Sequence, residues 1–311
     1  MLKKQNMLYI SLSTLVLLMV MTSHMNPYIK KVDSIPVVKK DTLYKEIKRK
    51  ATKYNEAPKN AVIDRVWKKT PGRNGRKVNV EESYQKMKQH GAYDDTLLVF
   101  DEQAPEITLD SLPAAPIYRG HPDKMMVALM INVSWGEEHI PNILETLKKE
   151  NVKATFFIEG KWANKHKDLV EMIHEQNHLI GNHAYDHPDM NQLSDAEIKE
   201  QLVVTNDILE AIIDKSPRYF APPSGSFNDT VVHHADQLNM ETLLWTVDTI
   251  DWQDPSVSVM MKRVNDNIHP GATILMHPTE SVRDGLEDII SSLKESNYKI
   301  GTVETLLDEK R

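Results

Sequence analysis

The chain is 311 residues long, 40% apolar and 27% charged, with a formal net charge of −7 and no cysteine. That length accommodates one large domain and a smaller one, and the composition excludes a largely disordered chain. The lack of cysteine excludes a disulfide framework and thiolate chemistry, so stability rests on packing alone.

At the N-terminus Lys3 and Lys4 precede the uncharged, mostly apolar run MLYISLSTLVLLMVMTS, residues 7–23. It is short for a spanning helix and long for the apolar part of a signal peptide. Met21, Thr22 and Ser23 make a poor small-residue cleavage pattern, which favours a retained signal anchor over a cleaved peptide. Positive charge ahead of the run predicts the N-terminus inside and the remainder exported, anchored at the outer membrane face or secreted to the wall. Charge then divides unevenly: residues 30–93 carry 18 Lys and Arg against 7 acids, and residues 94–311 carry 18 against 38. A basic segment beside an anchor can rest on anionic lipid or wall polymer, or be no more than a solvated helix face. Export and the acidic main body argue against nucleic acid as a partner.

Residues 31–100 read as a small basic α+β region. It has a helix DTLYKEIKRKATKYN, strands AVIDRVWKK and RKVNVEES around the turn TPGRNG, a helix SYQKMKQ and a strand TLLVF. These patterns name no protein partner for it. Residues 101–121 carry prolines and read as an extended linker. In residues 122–311 short apolar runs alternate with amphipathic segments. Strands are expected at VALMINV, KATFFI, HLIGNH, RYFAPPSG, ETLLWTVD, ATILMH and YKIGTV, with helices between them. The helix SDAEIKEQLVVTNDILEAII opens on a capping box of Ser194 and Glu197. Such alternation predicts a parallel α/β layout with the site at the carboxyl ends of the strands.

The candidate residues fall at those ends. NHAYDH places His183 and His187 four apart, a spacing that lets two imidazoles converge on one metal; zinc then wants a third protein ligand. A plainer reading has both bonded to backbone. VDTIDW supplies Asp248 and Asp251, one of which could orient a histidine, followed by Trp252, a possible wall for a sugar. D-x-x-D also serves as a helix cap. ATILMH ends on His277, placed to act as general acid to a leaving amine, although a lone histidine is more often structural. Pro222, Pro223, Ser224 and Gly225 form a rigid loop that could bring the Ser224 N–H to an oxyanion, or simply turn the chain.

In order and placement these segments resemble the polysaccharide deacetylase family, the NodB-homology domain of carbohydrate esterases. The resemblance covers residues 122–308 and includes VALMI, KATFFIEG, HLIGNHAYDHPDM, YFAPPSG, WTVDTIDW and ATILMH. It implies a distorted (β/α)7 barrel of parallel strands that removes acetyl groups from chitin-like glycans or peptidoglycan, with a divalent metal, typically zinc. The SWG variant behind a membrane segment is similar to a branch associated with sporulation. Carried over, His183 and His187 match the metal histidines and His277 the general acid, with Asp248 as its orienting carboxylate. Pro222, Pro223, Ser224, Gly225 and Trp252 would line the substrate groove.

Three positions depart from the pattern. Asn132 stands where the family has its base, Val133 where it has the metal carboxylate, and Ala221 where it has a supporting arginine. An amide takes no proton near neutral pH and valine binds no metal. An arginine beside a neutral amide would be a buried charge without a partner, so the three losses belong together. The expectation is therefore a carbohydrate deacetylase-family protein with low or altered activity. Its rivals are an inactive glycan-binding pseudoenzyme and an anchored scaffold. Glu137, Glu138, Asp186 and Asp189 are the acids available to replace a lost ligand or base.

Overall fold

Wherever a strand of the main domain is buried on both faces, its sequence reads as a continuous apolar run. In the computed structural model, which describes residues 37–311, that rule holds best for the central strand, Met126–Val133. Lys3, Lys4 and the run 7–23 lie outside the described residues. No helix among the described residues is long and apolar enough to cross a membrane.

By internal contacts the described chain divides into two units: residues 37–54 with 78–100, and residues 55–77 with 101–311. In the first, α1 (Val37–Ala51) and α2 (Val80–Met87) meet through Leu43, Ile47 and Ala51 on one side and Tyr84 and Met87 on the other. Asn79 caps α2, its side chain accepting the Glu82 N–H at 3.0 Å. The run TLLVF, expected as a strand, begins instead as a 3-10 turn at Asp95–Leu97, held by Asp94 accepting the Thr96 N–H.

The second unit begins with an antiparallel hairpin of β1 (Val62–Asp64) and β2 (Lys68–Thr70), followed by β3 (Gly75–Val78), which pairs with β4 (Phe100–Gln103). The hairpin turns at residues 65–67, earlier than the TPGRNG turn the sequence suggested, because Asp64 accepts the N–H groups of Val66 and Trp67.

The main sheet runs through β5 (Met126–Val133), β6 (Thr155–Ile158), β7 (Leu179–Asn182), β8 (Tyr219–Phe220), β9 (Glu241–Thr242), β10 (Val247–Asp248), β11 (Thr273–Met276) and β12 (Lys299–Gly301). Its order is β10-β11-β5-β6-β7-β8-β9, with β12 against the first residues of β5, and every pair is parallel. The intervening helices are α3 (Ile140–Lys149), α4 (Gly160–Lys165), α5 (Lys167–Glu175), α6 (Asp195–Ile213), α7 (Asp229–Gln237), α8 (Val257–Asn267) and α9 (Glu280–Glu295), with α10 (Val303–Leu307) last. At the start of α6 the Ser194 N–H donates to the Glu197 carboxylate at 2.8 Å, one half of the expected capping box.

This is the distorted barrel expected of the chain, with one seam. The run ETLLWTVD is not one strand: β9 and β10 lie at opposite ends of the sheet order. Ile117 runs alongside the end of β9, where it bridges Leu243, and bridges Lys68 of β2 on its other side. Its N–H donates to Thr242 O and its carbonyl accepts the Leu244 N–H, each at 2.8 Å, and its side chain is buried. Part of the stretch that read as a linker is thus structural.

Alternation along β5 sorts its side chains. Val127, Leu129, Ile131 and Val133 join the core beneath the helices with Ile140, Leu144 and Leu286, while Ala128 and Met130 face the barrel interior with Phe157 and Leu243. Each such aliphatic side chain contributes roughly 1.5–3 kcal/mol by leaving water. Asn132 continues the inward row.

Candidate active site

At the carboxyl end of the barrel a cavity of about 360 Å³ is lined by Asn132, Ser134, Trp135, His183, His187, Ser224, Trp245, Asp248, Trp252, Leu275 and His277. Six of these were expected from the sequence, besides Asp248: Asn132, His183, His187, Ser224, Trp252 and His277. Chain geometry around the cavity is tense. Ala184, His187, Ser224 and Ile250 all have φ between 51° and 61° without being glycine. Such clustering is usual where a fold holds side chains in fixed functional positions.

His183 follows β7 and is buried; its Nδ1 lies 2.7 Å from Ala221 O. A carbonyl only accepts, so the proton sits on Nδ1 and Nε2 is left unprotonated. Burial, with His187 beside it, pushes its pKa down to about 3. His187 stands at the rim, its ring 5.3 Å from that of His183 and its pKa also lowered by burial.

His277 follows β11. Its Nδ1 lies 2.9 Å from Asp251 Oδ1, and its backbone N–H donates to Asp251 Oδ2 at 2.8 Å. The orienting carboxylate is therefore Asp251, not Asp248 as the resemblance suggested. The reason is a turn. Ile250 takes a left-handed conformation at φ 51° and ψ 38°, its N–H donating to Asp248 Oδ1 at 2.8 Å, while Arg263 Nη1 donates to the Thr249 and Ile250 carbonyls. That turn carries Asp251 to a fully buried place under His277, where the Thr249 hydroxyl also meets it at 2.7 Å. Asp248 caps the turn.

Asn132 is 3% exposed, and its Oδ1 is buried without a hydrogen-bond partner. Val133 does not face the cavity; it belongs to the apolar core beneath the helices. Ala221 is fully buried in the barrel interior. Pro222, Pro223 and Gly225 do not line the cavity either, and only Ser224 of that loop does. Gly225 sits so close to the Trp245 ring that a Cβ would be 3.0 Å from it, so the loop braces the aromatic wall.

The substitute acids stay outside. Glu137 accepts the Trp162 indole N–H at 3.4 Å, Glu138 lies 3.7 Å from His139, Asp186 accepts from Gln201 at 2.8 Å and Asp189 is bonded by the Ser226 hydroxyl. None of them lines the cavity. Among the described residues no three His, Cys, Asp or Glu side chains stand close enough together to hold a metal ion. Two imidazoles and a hydrocarbon do not make the three-ligand set that zinc needs.

Sequence reasoning missed Trp135 and Trp245. Trp135 is 45% exposed and lies parallel to His277, ring centroids 6.1 Å apart and planes 8° apart. Gly136 makes this possible: at φ 80° it presses on Pro278, whose carbonyl oxygen would be 2.0 Å from a Cβ. The signal was present in SWG, since a glycine after a strand end permits a sharp turn there.

Chemically, the His277–Asp251 pair is placed to hand on a proton; the one carboxylate lining the cavity is Asp248, whose Oδ1 holds the Ile250 N–H.

A family model described as "Polysaccharide deacetylase" matches residues 119–243. The uncharacterised protein YlxY of Bacillus subtilis is 49% identical over 282 residues, 90% of this chain and 88% of that one. A peptidoglycan-N-acetylglucosamine deacetylase of Bacillus cereus is 33% identical over 194 residues, 61% of this chain and 70% of that one. Among solved structures, a carbohydrate esterase family 4 pseudoenzyme of Bacillus anthracis is 52% identical with a TM-score of 0.84, covering 86% of this chain and 96% of that one. A mutant of that pseudoenzyme, described as having restored enzymatic activity, superimposes with the same TM-score at 51% identity, over 86% of this chain and 99% of that one.

Proposed function

Because the chain belongs to the polysaccharide deacetylase family, we propose that it is a cell-wall protein whose cleft holds peptidoglycan-like glycan while hydrolysing its amide bonds slowly or not at all. The observation that carries this reading is the pair at the end of β5. Asn132 puts an amide in the base position, and Val133 is buried on the other side of the sheet. Without a base, catalysis loses a factor of about 10²–10⁴. A divalent metal would polarise the acetyl carbonyl, but only His183 and His187 would be left to hold it here.

What remains favours binding. Trp135, Trp245 and Trp252 frame the cavity, and flat aromatic faces suit the apolar faces of sugar rings. Relatives named as peptidoglycan deacetylases of Bacillus support a wall glycan as the ligand. The charged and apolar N-terminal segment supports a place on the outer membrane face, and the sporulation association rests on the SWG variant alone. Residues 31–100 are proposed to form a module distinct from the barrel of 122–311, although residues 55–77 group with the barrel by internal contacts.

The deciding experiment incubates the full chain with purified Bacillus peptidoglycan, measuring co-sedimentation and acetate release with and without added zinc. Co-sedimentation with acetate release at least a hundredfold below that of the Bacillus cereus enzyme is expected. Release at a comparable rate would restore the deacetylase reading, and failure to sediment would leave the scaffold.

A further inference from the structure

Among the described residues ten large apolar side chains are exposed, and five of them gather at one place. Val62, Ile63, Val66 and Trp67 belong to the β1–β2 hairpin, and Ile107 lies beside its base, where its carbonyl accepts the Ala61 N–H at 2.9 Å. Trp135 and Trp252 line the cavity, and Met125, Met172 and Val259 come from three separate segments. Val62 and Ile63 are consecutive in a strand and so point to opposite faces, yet both are exposed. The hairpin therefore projects with neither face covered, and Val66 at its tip is 66% exposed. We infer that this hairpin is a membrane-contact element, which seats its apolar tip in an anionic lipid surface. The inference rests on the reading of residues 7–23 as an anchor and deepens it by naming the part of the folded chain that meets the bilayer.

Charge and chain length favour lipid over other occupants. Arg65 and Lys68 flank Val66 and Trp67 and are exposed, and the Arg119 guanidinium stands 5.6 Å from the centre of the Trp67 ring. Arg119 gives its N–H groups to the Gly120 and Pro270 carbonyls, which leaves its charge in place. The hairpin's one acid, Asp64, is taken up by the backbone of Val66 and Trp67. Three cations against one acid, around a tryptophan and β-branched side chains, match anionic headgroups over acyl chains. A wall polymer would answer the cations but leave Val62, Ile63 and Val66 in water. A protein packed on one face of the hairpin would leave the other face bare. Reach is also met. Thirteen residues, 24–36, separate the apolar run from α1, and fully extended they span no more than about 45 Å. An inserted run thus holds the folded chain within roughly one domain diameter of the bilayer.

The chain contains no cysteine, so Val66→Cys places a single environment-sensitive fluorophore at the hairpin tip. The full chain so labelled is reconstituted with vesicles of phosphatidylglycerol and phosphatidylcholine, and with vesicles of phosphatidylcholine alone. Flotation reads the anchor, and the label reads the hairpin. The chain is expected to float with both, and the label to shift to the blue, more strongly on the anionic vesicles. A label at Val259→Cys, on an exposed position of α8, should keep its emission in water. Arg65→Glu combined with Lys68→Glu should remove most of the shift on anionic vesicles without releasing the chain. A chain that floats while the Val66→Cys label stays as in water would overturn the inference and leave the anchor intact. Equal shifts at the two labels, or on the two kinds of vesicle, would overturn it as well. So would a shift that fades as the chain is diluted in the bilayer, which marks a second copy, or one that needs added peptidoglycan, which marks the wall. A chain that does not float would overturn the anchor reading itself, and this inference with it.

Discussion

Asn132 and Val133 are neighbours at the end of β5 and face opposite sides of the sheet. Asn132 lines the cavity beside His183 and His277, and Val133 lies in the apolar core with Ile140 and Leu286. The two lost functions therefore differ in how they can be regained. The base is one atom exchange away, whereas the metal carboxylate must first leave a hydrophobic layer.

Restoring the base half together with its supports should restore chemistry. Asn132→Asp, Val133→Asp and Ala221→Arg combined are expected to raise acetate release from tetra-N-acetylchitotetraose by about 10²–10⁴-fold in the presence of zinc. The His277–Asp251 pair is already in place to protonate the leaving amine. A folded triple variant that neither binds zinc more tightly nor releases more acetate would refute this account.

Val133→Asp alone should make stability depend on metal. In EDTA the buried carboxylate has no partner, and the variant should unfold several kcal/mol more easily than the native chain. Zinc, drawing the carboxylate towards His183 and His187, should recover much of that loss. Thermal melts with EDTA and with zinc check it; a variant as stable as the native chain in EDTA would show that the residue already reaches the cavity.

The two aspartates of VDTIDW should differ sharply on substitution. Asp251 is fully buried and bonded to His277 through both backbone and ring, so Asp251→Ala should cost about 2–4 kcal/mol in urea unfolding. Asp248 is only partly buried and caps the turn through one bond to Ile250, and Asp248→Ala should cost about 1 kcal/mol. Comparable losses would contradict the assignment of Asp251 as the partner of His277.

Acid should destabilise the barrel through two histidines away from the site. Burial pushes the pKa of both His121 and His178 down from 6.5 to about 4. Each Nδ1 accepts a backbone N–H, from Asp123 and Ala154 respectively, at 3.1 Å, which requires the neutral ring. Between pH 6.5 and 4 the unfolded chain binds protons that the folded chain does not, so stability is full above that window and falls as pH drops through it. Each site accounts for up to about 3 kcal/mol. Urea titrations across the window should show the fall, and His178→Asn, which keeps an acceptor for Ala154, should flatten it. An unchanged slope in that variant would remove His178 from the account.

The sequence by itself determined the parallel α/β alternation, the gathering of His183, His187 and His277 at one face, and the loss of base, metal carboxylate and arginine. The alternation and the gathering follow from residue identity and periodicity, and the losses from resemblance to the family pattern; none needs knowledge of what lies across the fold. Only the tertiary structure decided which aspartate serves His277, because that depends on the left-handed turn at Ile250, a conformation no β-branched residue advertises. It also decided that ETLLWTVD breaks into two strands, where the backbone of Thr242 and Leu244 bonds to Ile117, some 125 residues earlier in the chain. The stacking of Trp135 on His277 needed Gly136 pressed against Pro278, and the burial of Val133 needed the helices that cover β5. Chemistry can be read along a chain; the direction of a side chain at the end of a strand is fixed by what packs against it.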